Sequence, residues 1–97
     1  MARVRDYETT FILKPELEEE TRDNILEKIK NVITSNGGEI KEVDEWGQQS
    51  LAYEIDDYRN GDYIVIKFRA GTDIIDELER NLQVIIQVLR YLVVRDE

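Results

Sequence analysis

The most concentrated candidate ligands in this sequence are carboxylates, which occur as the run Glu18-Glu19-Glu20 and as the pair Asp56-Asp57. Carboxylate oxygens bind Mg²⁺ and Ca²⁺ when several of them converge on one point. Adjacent residues of a helix point in different directions, so the glutamate run is typical of a solvated helix surface. The aspartate pair lacks the glycine and ligand spacing of an EF-hand loop and is typical of a turn. We therefore predict neither a metal site nor a bound cofactor.

Histidine and cysteine, on which most small enzymes and metal sites depend, are both absent from the 97 residues. Their absence excludes imidazole bases, Ser-His-Asp triads, thiolate nucleophiles, zinc ribbons, iron–sulfur sites and disulfides. The stretch Leu13-Lys14-Pro15-Glu16-Leu17 has no glycine, so it lacks the backbone cradle that a phosphate-handling enzyme of this size would need. We predict that the protein is not an enzyme and has no small-molecule substrate.

Cationic side chains are the remaining candidates, because lysine and arginine can contact the phosphates of a nucleic acid. The overall charge works against such binding, since 13 Lys and Arg face 22 Asp and Glu for a net charge of −9. Binding would therefore need the cations to be gathered on one part of the molecule. Whether they are gathered depends on the order of the helices and strands.

The first half of the chain predicts one strand followed by one helix. Apolar and polar residues alternate from Val4 to Leu13, which predicts a half-buried strand. After Pro15, apolar residues recur at helical spacing, which predicts a helix from about Glu18 to Ser35. Asn36-Gly37-Gly38 then ends the helix, because glycine adopts the left-handed conformation found at helix C-termini.

The second half predicts two strands, a helix and a last strand. One long strand over Glu39–Ile55 is bent or bulged near Gly47. The segment Asp56–Asp62 is predicted to be a turn, because it is rich in turn formers and contains Asn60-Gly61. The remaining elements are a third strand over Asp62–Ala70, a second helix capped by Thr72 or Asp73 whose Ile75, Leu78 and Leu82 face the core, and a last strand over Ile85–Arg95.

The order β-α-β-β-α-β predicts an α+β fold of the ferredoxin-like class, as one domain over residues 1–97. Right-handed crossovers place both helices on one face of a four-stranded antiparallel sheet, with strands one and three in the centre. Strand four lies beside strand one, and strand two beside strand three. A signal peptide and an apolar run of the roughly 20 residues that a membrane helix needs are both missing, so we expect a cytoplasmic protein with no membrane partner.

This strand order gathers cations on three neighbouring strands, the first, third and fourth. They are Arg3, Arg5, Lys67, Arg69, Arg90 and Arg95. Most acidic residues lie elsewhere, on the two helices, the second strand and its turn. We therefore predict a modest basic edge on an acidic body, able to meet a few phosphates.

The sheet face opposite the helices is predicted to be open. If Ile64, Ile66 and Phe68 point to the helices, the outward residues include Glu8 and Thr10 and only one aromatic residue, which argues against base stacking on the sheet. Strand four carries apolar residues on both faces of the sheet, so we expect a protein partner to cover its outer face. The predicted partner-binding residues are Ile12, Tyr63, Val65, Leu92 and Val94.

Five short motifs are spread in order over nearly the whole chain. They are Tyr7–Pro15, Asn36–Gly38, Trp46-Gly47 leading to Leu51–Ile55, Asn60–Tyr63, and Val88–Arg95. Together they resemble the family of bacterial small-subunit ribosomal protein six. The resemblance implies a non-catalytic component of the ribosome, with a ferredoxin-like fold, that binds the central domain of small-subunit ribosomal RNA together with ribosomal protein eighteen. In that family RNA affinity is shared with the basic partner, which makes a net acidic chain compatible with RNA binding.

The resemblance also implies that Arg90 and Tyr91 of the closing stretch contact RNA. Family members usually carry basic residues after the glycine and around the next turn, where this chain has Gln48-Gln49-Ser50 and Asp56-Asp57. We therefore expect the phosphate contacts to come from the basic edge. The RNA-binding candidates are Arg3, Arg5, Lys67, Arg69, Arg90, Tyr91 and Arg95.

An alternative function is a small-molecule-binding regulatory module of the same fold. Such a module would dimerise through its sheets and bind an effector at the interface, and it shares the requirement for an apolar outer strand. A light-scattering mass of one protomer would count against it. A phosphate or acyl-phosphate hydrolase ranks third.

Overall fold

The computed structural model describes residues 3–95, which form an antiparallel sheet and two helices. The elements are β1 (Val4–Leu13), α1 (Glu19–Ser35), β2 (Glu39–Ile55), β3 (Tyr58–Gly71), α2 (Ile74–Val84) and β4 (Val88–Arg95). The strand order is β2-β3-β1-β4, with every neighbouring pair antiparallel. The predicted β-α-β-β-α-β ferredoxin-like fold is confirmed. Of the residues described, neither helix is long and apolar enough to cross a membrane.

The hydrophobic core lies between the helices and one face of the sheet. Phe11 and Leu13 of β1 are fully buried there, and the register pairs Phe11 with Ile64 of β3. Because side chains alternate along a strand, Ile64, Ile66 and Phe68 share this face. The predicted inward face of the third strand is therefore confirmed.

Helix α1 presents one apolar stripe to the sheet and ends where the sequence predicts. Its buried residues are Ile25, Leu26, Ile29 and Ile33, at the spacing that places them on one face. Gly37 has a φ of 87°, a left-handed value that glycine adopts without strain. The Gly38 N–H then donates a hydrogen bond of 2.8 Å to the carbonyl of Ile33, which closes the last turn.

The turn between β2 and β3 lies within the predicted segment Asp56–Asp62 but is shorter than predicted. It consists of Asp56 and Asp57 alone, with φ of 50° and 70°, and β3 begins at Tyr58. Two consecutive left-handed residues suit the twist of a hairpin, and aspartate tolerates that conformation better than most side chains. The predicted turn at Asn60-Gly61 is wrong because this dipeptide lies inside β3. A Cβ on Gly61 would clash with Ile12 Cγ2, so glycine serves a close approach there.

One strand boundary and one core residue also differ from prediction near the end of the chain. The last strand begins at Val88 instead of Ile85, because residues 85–87 form the connection from α2 and the Val88 N–H donates to the Ile85 carbonyl. In α2, Ile74 is buried with Leu78 and Leu82, whereas the predicted core residue Ile75 is only partly buried. The predicted bulge of β2 is confirmed between Glu45 and Gly47.

A partly buried set of ion pairs ties α1 to β2 and β3. The Arg22 guanidinium donates to Asp62 at 2.5 Å and lies 2.6 Å from Glu45, so one helix residue holds both β3 and β2. Asp62 is 6% exposed and sits on the helix-facing side of β3. The hydrogen bond to Asp62, followed by that to Glu45, raises the pKa of Arg22 above its ordinary value despite its burial.

Truncation of a core isoleucine tests the assigned faces of β3. Ile66→Ala should lower the free energy of unfolding by about 2–5 kcal/mol, because it leaves a cavity in the packed core. Ile86→Ala, the same change at a residue that is 77% exposed, should alter it by less than about 0.5 kcal/mol. Urea denaturation measures both values. Equal effects of the two substitutions would show that the faces are wrongly assigned.

Removal of the Arg22 guanidinium tests the ion pair. Arg22→Met keeps the aliphatic stem but leaves the buried Asp62 carboxylate without its partner, so the free energy of unfolding should fall by about 2–3 kcal/mol. Arg80→Met, which removes an exposed pair with Glu77, should change it by less than about 0.5 kcal/mol and serves as the control. A neutral Arg22→Met would contradict a stabilising role for the pair.

Candidate protein and RNA interface

The sheet face opposite the helices carries the predicted partner-binding residues. Register pairs Ile12 with Tyr63 and Thr10 with Val65, and β4 adds Arg90, Leu92 and Val94 on the same side. All five predicted partner-binding residues therefore share this open face. Ile12 and Val65 are nonetheless buried, at 7% and 5% exposure, by neighbours within the chain. The accessible apolar surface comes from Leu92 and Val94, which are both exposed.

The end of the β2–β3 hairpin supplies part of the cover over Ile12. A Cβ built on Gly61 would lie close to both Ile12 and Leu51, so these two side chains meet above the glycine. Further out, the Arg90 side chain of β4 donates a hydrogen bond to the Tyr53 hydroxyl, with its guanidinium 5.3 Å from the ring centroid. The hairpin thus reaches across the sheet from its outermost strand to the strand at the other edge.

Two aromatic residues of the open face were missed by the sequence analysis. Trp46 is 54% exposed and stacks on Tyr63, with ring centroids 6.0 Å apart and planes 7° from parallel. Tyr53 is 57% exposed and lies beside Arg90. Alternation from Asp44, which pairs with Val65, places Trp46 on the open face, whereas the bulge before Gly47 reverses the count from the residues that follow it. Its signal in the sequence was an isolated tryptophan next to a glycine.

The open face is more acidic than basic. Register and side-chain contacts place Asp6, Glu8, Glu39, Glu42 and Asp44 on this side, against Lys41, Lys67, Arg69 and Arg90. Lys67 lies between Glu8 and Glu42 on the two neighbouring strands. Arg69 lies 3.5 Å from Asp6. An apolar centre with an acidic rim favours a basic protein partner over a polyanion.

The predicted basic edge is divided between the two ends of the sheet. At the end where β1 begins and β4 finishes lies a group that we call the basic end, made up of Arg3, Arg5, Lys41, Arg69 and Arg95. Lys41 was not predicted; it lies in the bulge of β2 and 3.7 Å from Asp6. Arg90 lies at the opposite end, about 17 Å away along β4 at about 3.4 Å per residue.

The basic end extends around the sheet edge and does not occupy one face. Arg5 pairs with Ala70 and Arg95 with Tyr7, which are helix-facing positions, whereas Arg69 belongs to the open face. Tyr91 also lies on the helix-facing side, packed against the core, where its hydroxyl accepts a 2.9 Å hydrogen bond from Gln83. The RNA candidates thus fall into one cluster of arginines and three separate residues, Lys67, Arg90 and Tyr91.

Comparisons with known proteins agree on one family. The family model described as "Ribosomal protein S6" matches residues 6–95. The chain is 45% identical to small ribosomal subunit protein bS6 of Thermoanaerobacter pseudethanolicus, covering 97% of this chain and 99% of that protein. It is 43% identical to the bS6 protein of Desulforudis audaxviator, covering 97% of this chain and all of the relative. The crystal structure of 30S ribosomal protein S6 from Thermotoga maritima superposes with a TM-score of 0.91 at 36% identity, covering 97% of this chain and 89% of that one.

Proposed function

The chain belongs to the ribosomal protein S6 family, and on that premise we propose that it binds the central domain of small-subunit ribosomal RNA together with ribosomal protein eighteen. As a member of this family it is a small-subunit ribosomal protein, located in the cytoplasmic ribosome, and not an enzyme. The match over residues 6–95 supports the proposal that the whole chain acts as one ribosomal-protein domain. Its role is structural, because it positions a partner and an RNA segment without making or breaking a bond.

The open face supports the proposal of a protein partner. The exposed apolar side chains of this face are Leu92 and Val94 on β4 and Trp46 on β2, at the opposite edge of the sheet. Exposed apolar surface of this kind is typical of a protein interaction site. Acidic residues surround this surface, so a partner rich in lysine and arginine is complementary to it. In this proposal ribosomal protein eighteen docks on the open face, through Ile12, Tyr63, Val65, Leu92 and Val94 together with the two additional aromatic residues.

The basic end supports the proposal of direct contact with RNA. Arginine presents a planar fork of N–H donors that matches a phosphate. All four arginines of the basic end, Arg3, Arg5, Arg69 and Arg95, are RNA candidates from the sequence. With a net charge of −9 the chain meets few phosphates by itself. The basic partner supplies the remaining cations, so we propose that the RNA is bound by the pair of proteins.

Assembly in solution tests this function. The purified chain, ribosomal protein eighteen and a central-domain RNA fragment should form a ternary complex at moderate salt in an electrophoretic mobility shift. The chain alone should bind the same RNA much more weakly. Failure of the three components to assemble, when the protein is folded by circular dichroism, would contradict the proposal.

The salt dependence of assembly tests the arginine contacts. Arg5→Ala and Arg95→Ala should each weaken ternary assembly, and each lost phosphate contact should reduce the slope of log K against log salt by about one. Arg80→Ala on α2, an exposed arginine outside both proposed surfaces, should leave the slope unchanged. Unchanged slopes for both test variants would place the RNA surface elsewhere on the molecule.

A further inference from the structure

Trp46 and Tyr63 form a small aromatic platform on the open face. The two rings are nearly parallel, and Tyr63 lies against one side of the indole while more than half of the tryptophan surface stays accessible. The position of the indole is held from two sides. Its Nε1 donates a 3.0 Å hydrogen bond to Asp44 Oδ2, and the Gln49 side chain donates to the Trp46 carbonyl at 3.2 Å. Trp46 itself lies at the bulge between Glu45 and Gly47.

Negative charge surrounds this platform. Asp44 is exposed and in contact with the indole N–H, and Glu42 projects from the same side of β2, opposite Lys67. The face of an indole ring attracts cations through its quadrupole, and tryptophan does so more strongly than tyrosine or phenylalanine. A carboxylate next to such a face adds a direct charge partner. The combination selects for a planar cation.

We propose that Trp46, Tyr63 and Asp44 form a socket for an arginine side chain of the basic protein that docks on the open face. This inference rests on the proposed function, and it specifies the group that the partner must present. A guanidinium can stack flat on the accessible side of the indole while its N–H groups reach the Asp44 carboxylate. A lysine ammonium would supply the positive charge but has no planar group to stack on the indole.

The molecule itself contains the same kind of contact a short distance away. The Arg90 guanidinium lies over the Tyr53 ring, 5.3 Å from its centroid, on the same open face. There the cation and the ring both belong to this chain, so the pair is complete. At Trp46 the ring and the carboxylate are present on this chain, and the complementary cation would come from the partner.

An unpaired RNA base is the competing occupant, because bases also stack on exposed aromatic rings. A base at Trp46 would bring its phosphates close to Asp44 and Glu42. Like charges at such distances repel, and Lys41, the described basic-end residue on β2, is engaged with Asp6 at 3.7 Å. The charge of the platform therefore favours a guanidinium over a nucleotide.

Binding of ribosomal protein eighteen in the absence of RNA tests the socket. Trp46→Leu removes the ring quadrupole and Asp44→Asn removes the charge but keeps a carbonyl oxygen for the indole N–H. By calorimetric titration at constant ionic strength, Trp46→Leu and Asp44→Asn should each weaken binding about 3- to 30-fold. The double variant should lose less than the product of the two factors, because both residues act on one guanidinium. Asp23→Asn on α1 removes a charge outside the open face and should bind as wild type does.

Trp46→Phe guards against an effect of misfolding, because it keeps an aromatic ring of weaker cation affinity and should bind with intermediate strength. Melting curves of all variants should match that of the wild type, since both residues are exposed. Wild-type affinity of Trp46→Leu and Asp44→Asn would overturn the socket and leave the proposed function intact. Weaker RNA binding by Trp46→Leu, with stronger RNA binding by Asp44→Asn, would identify a base as the occupant and overturn it as well. Failure of the wild-type chain to bind the partner would overturn the proposed function and the socket together.

Discussion

A four-stranded sheet with helices on one side only leaves its second face uncovered, and this constraint organises the rest of the molecule. The helix-facing side is filled by apolar residues of α1 and α2 and held by the Arg22 pair. On the other side the chain covers only the centre, where Ile12 and Val65 are buried by their neighbours. The apolar residues toward the edges remain accessible. A partner on the open face would bury these apolar residues and so stabilise the complex.

The distribution of charge separates the proposed partner-binding surface from the proposed RNA-binding surface. The acidic rim of the open face repels phosphates and attracts a basic protein, whereas the basic end presents arginines at the place where β1 begins and β4 finishes. The net charge of −9 is therefore a sum over an acidic face and a basic end, and it does not show that they differ. The acidic excess becomes a feature of the partner-binding surface. RNA affinity then depends on the assembled pair, which couples RNA binding to docking of the partner.

Periodicity predicted the fold and both sheet faces because each strand is long enough to show alternation, and helix α1 ends at a glycine with its own local signal. The features that periodicity did not predict are determined by tertiary contacts. The turn is predicted over Asp56–Asp62 because Asn60-Gly61 is a strong local turn signal, yet it closes at Asp56-Asp57, and Gly61 lies against Ile12, a residue 49 positions away. Trp46 lies against Tyr63 at the bulge of β2, whose place near Gly47 the isolated glycine predicts. The stacking partner depends on the register between β2 and β3, which local sequence patterns do not determine.

The most direct measurement of the division between the two surfaces is amide chemical-shift mapping of the labelled chain. Addition of ribosomal protein eighteen should shift signals of the open face, at Tyr63, Leu92 and Val94, and leave α1 and α2 unchanged. Subsequent addition of central-domain RNA should shift signals at Arg5 and the rest of the basic end. Shifts concentrated on the two helices in the first step, or on the open face in the second, would contradict the assignment of partner and RNA to these surfaces.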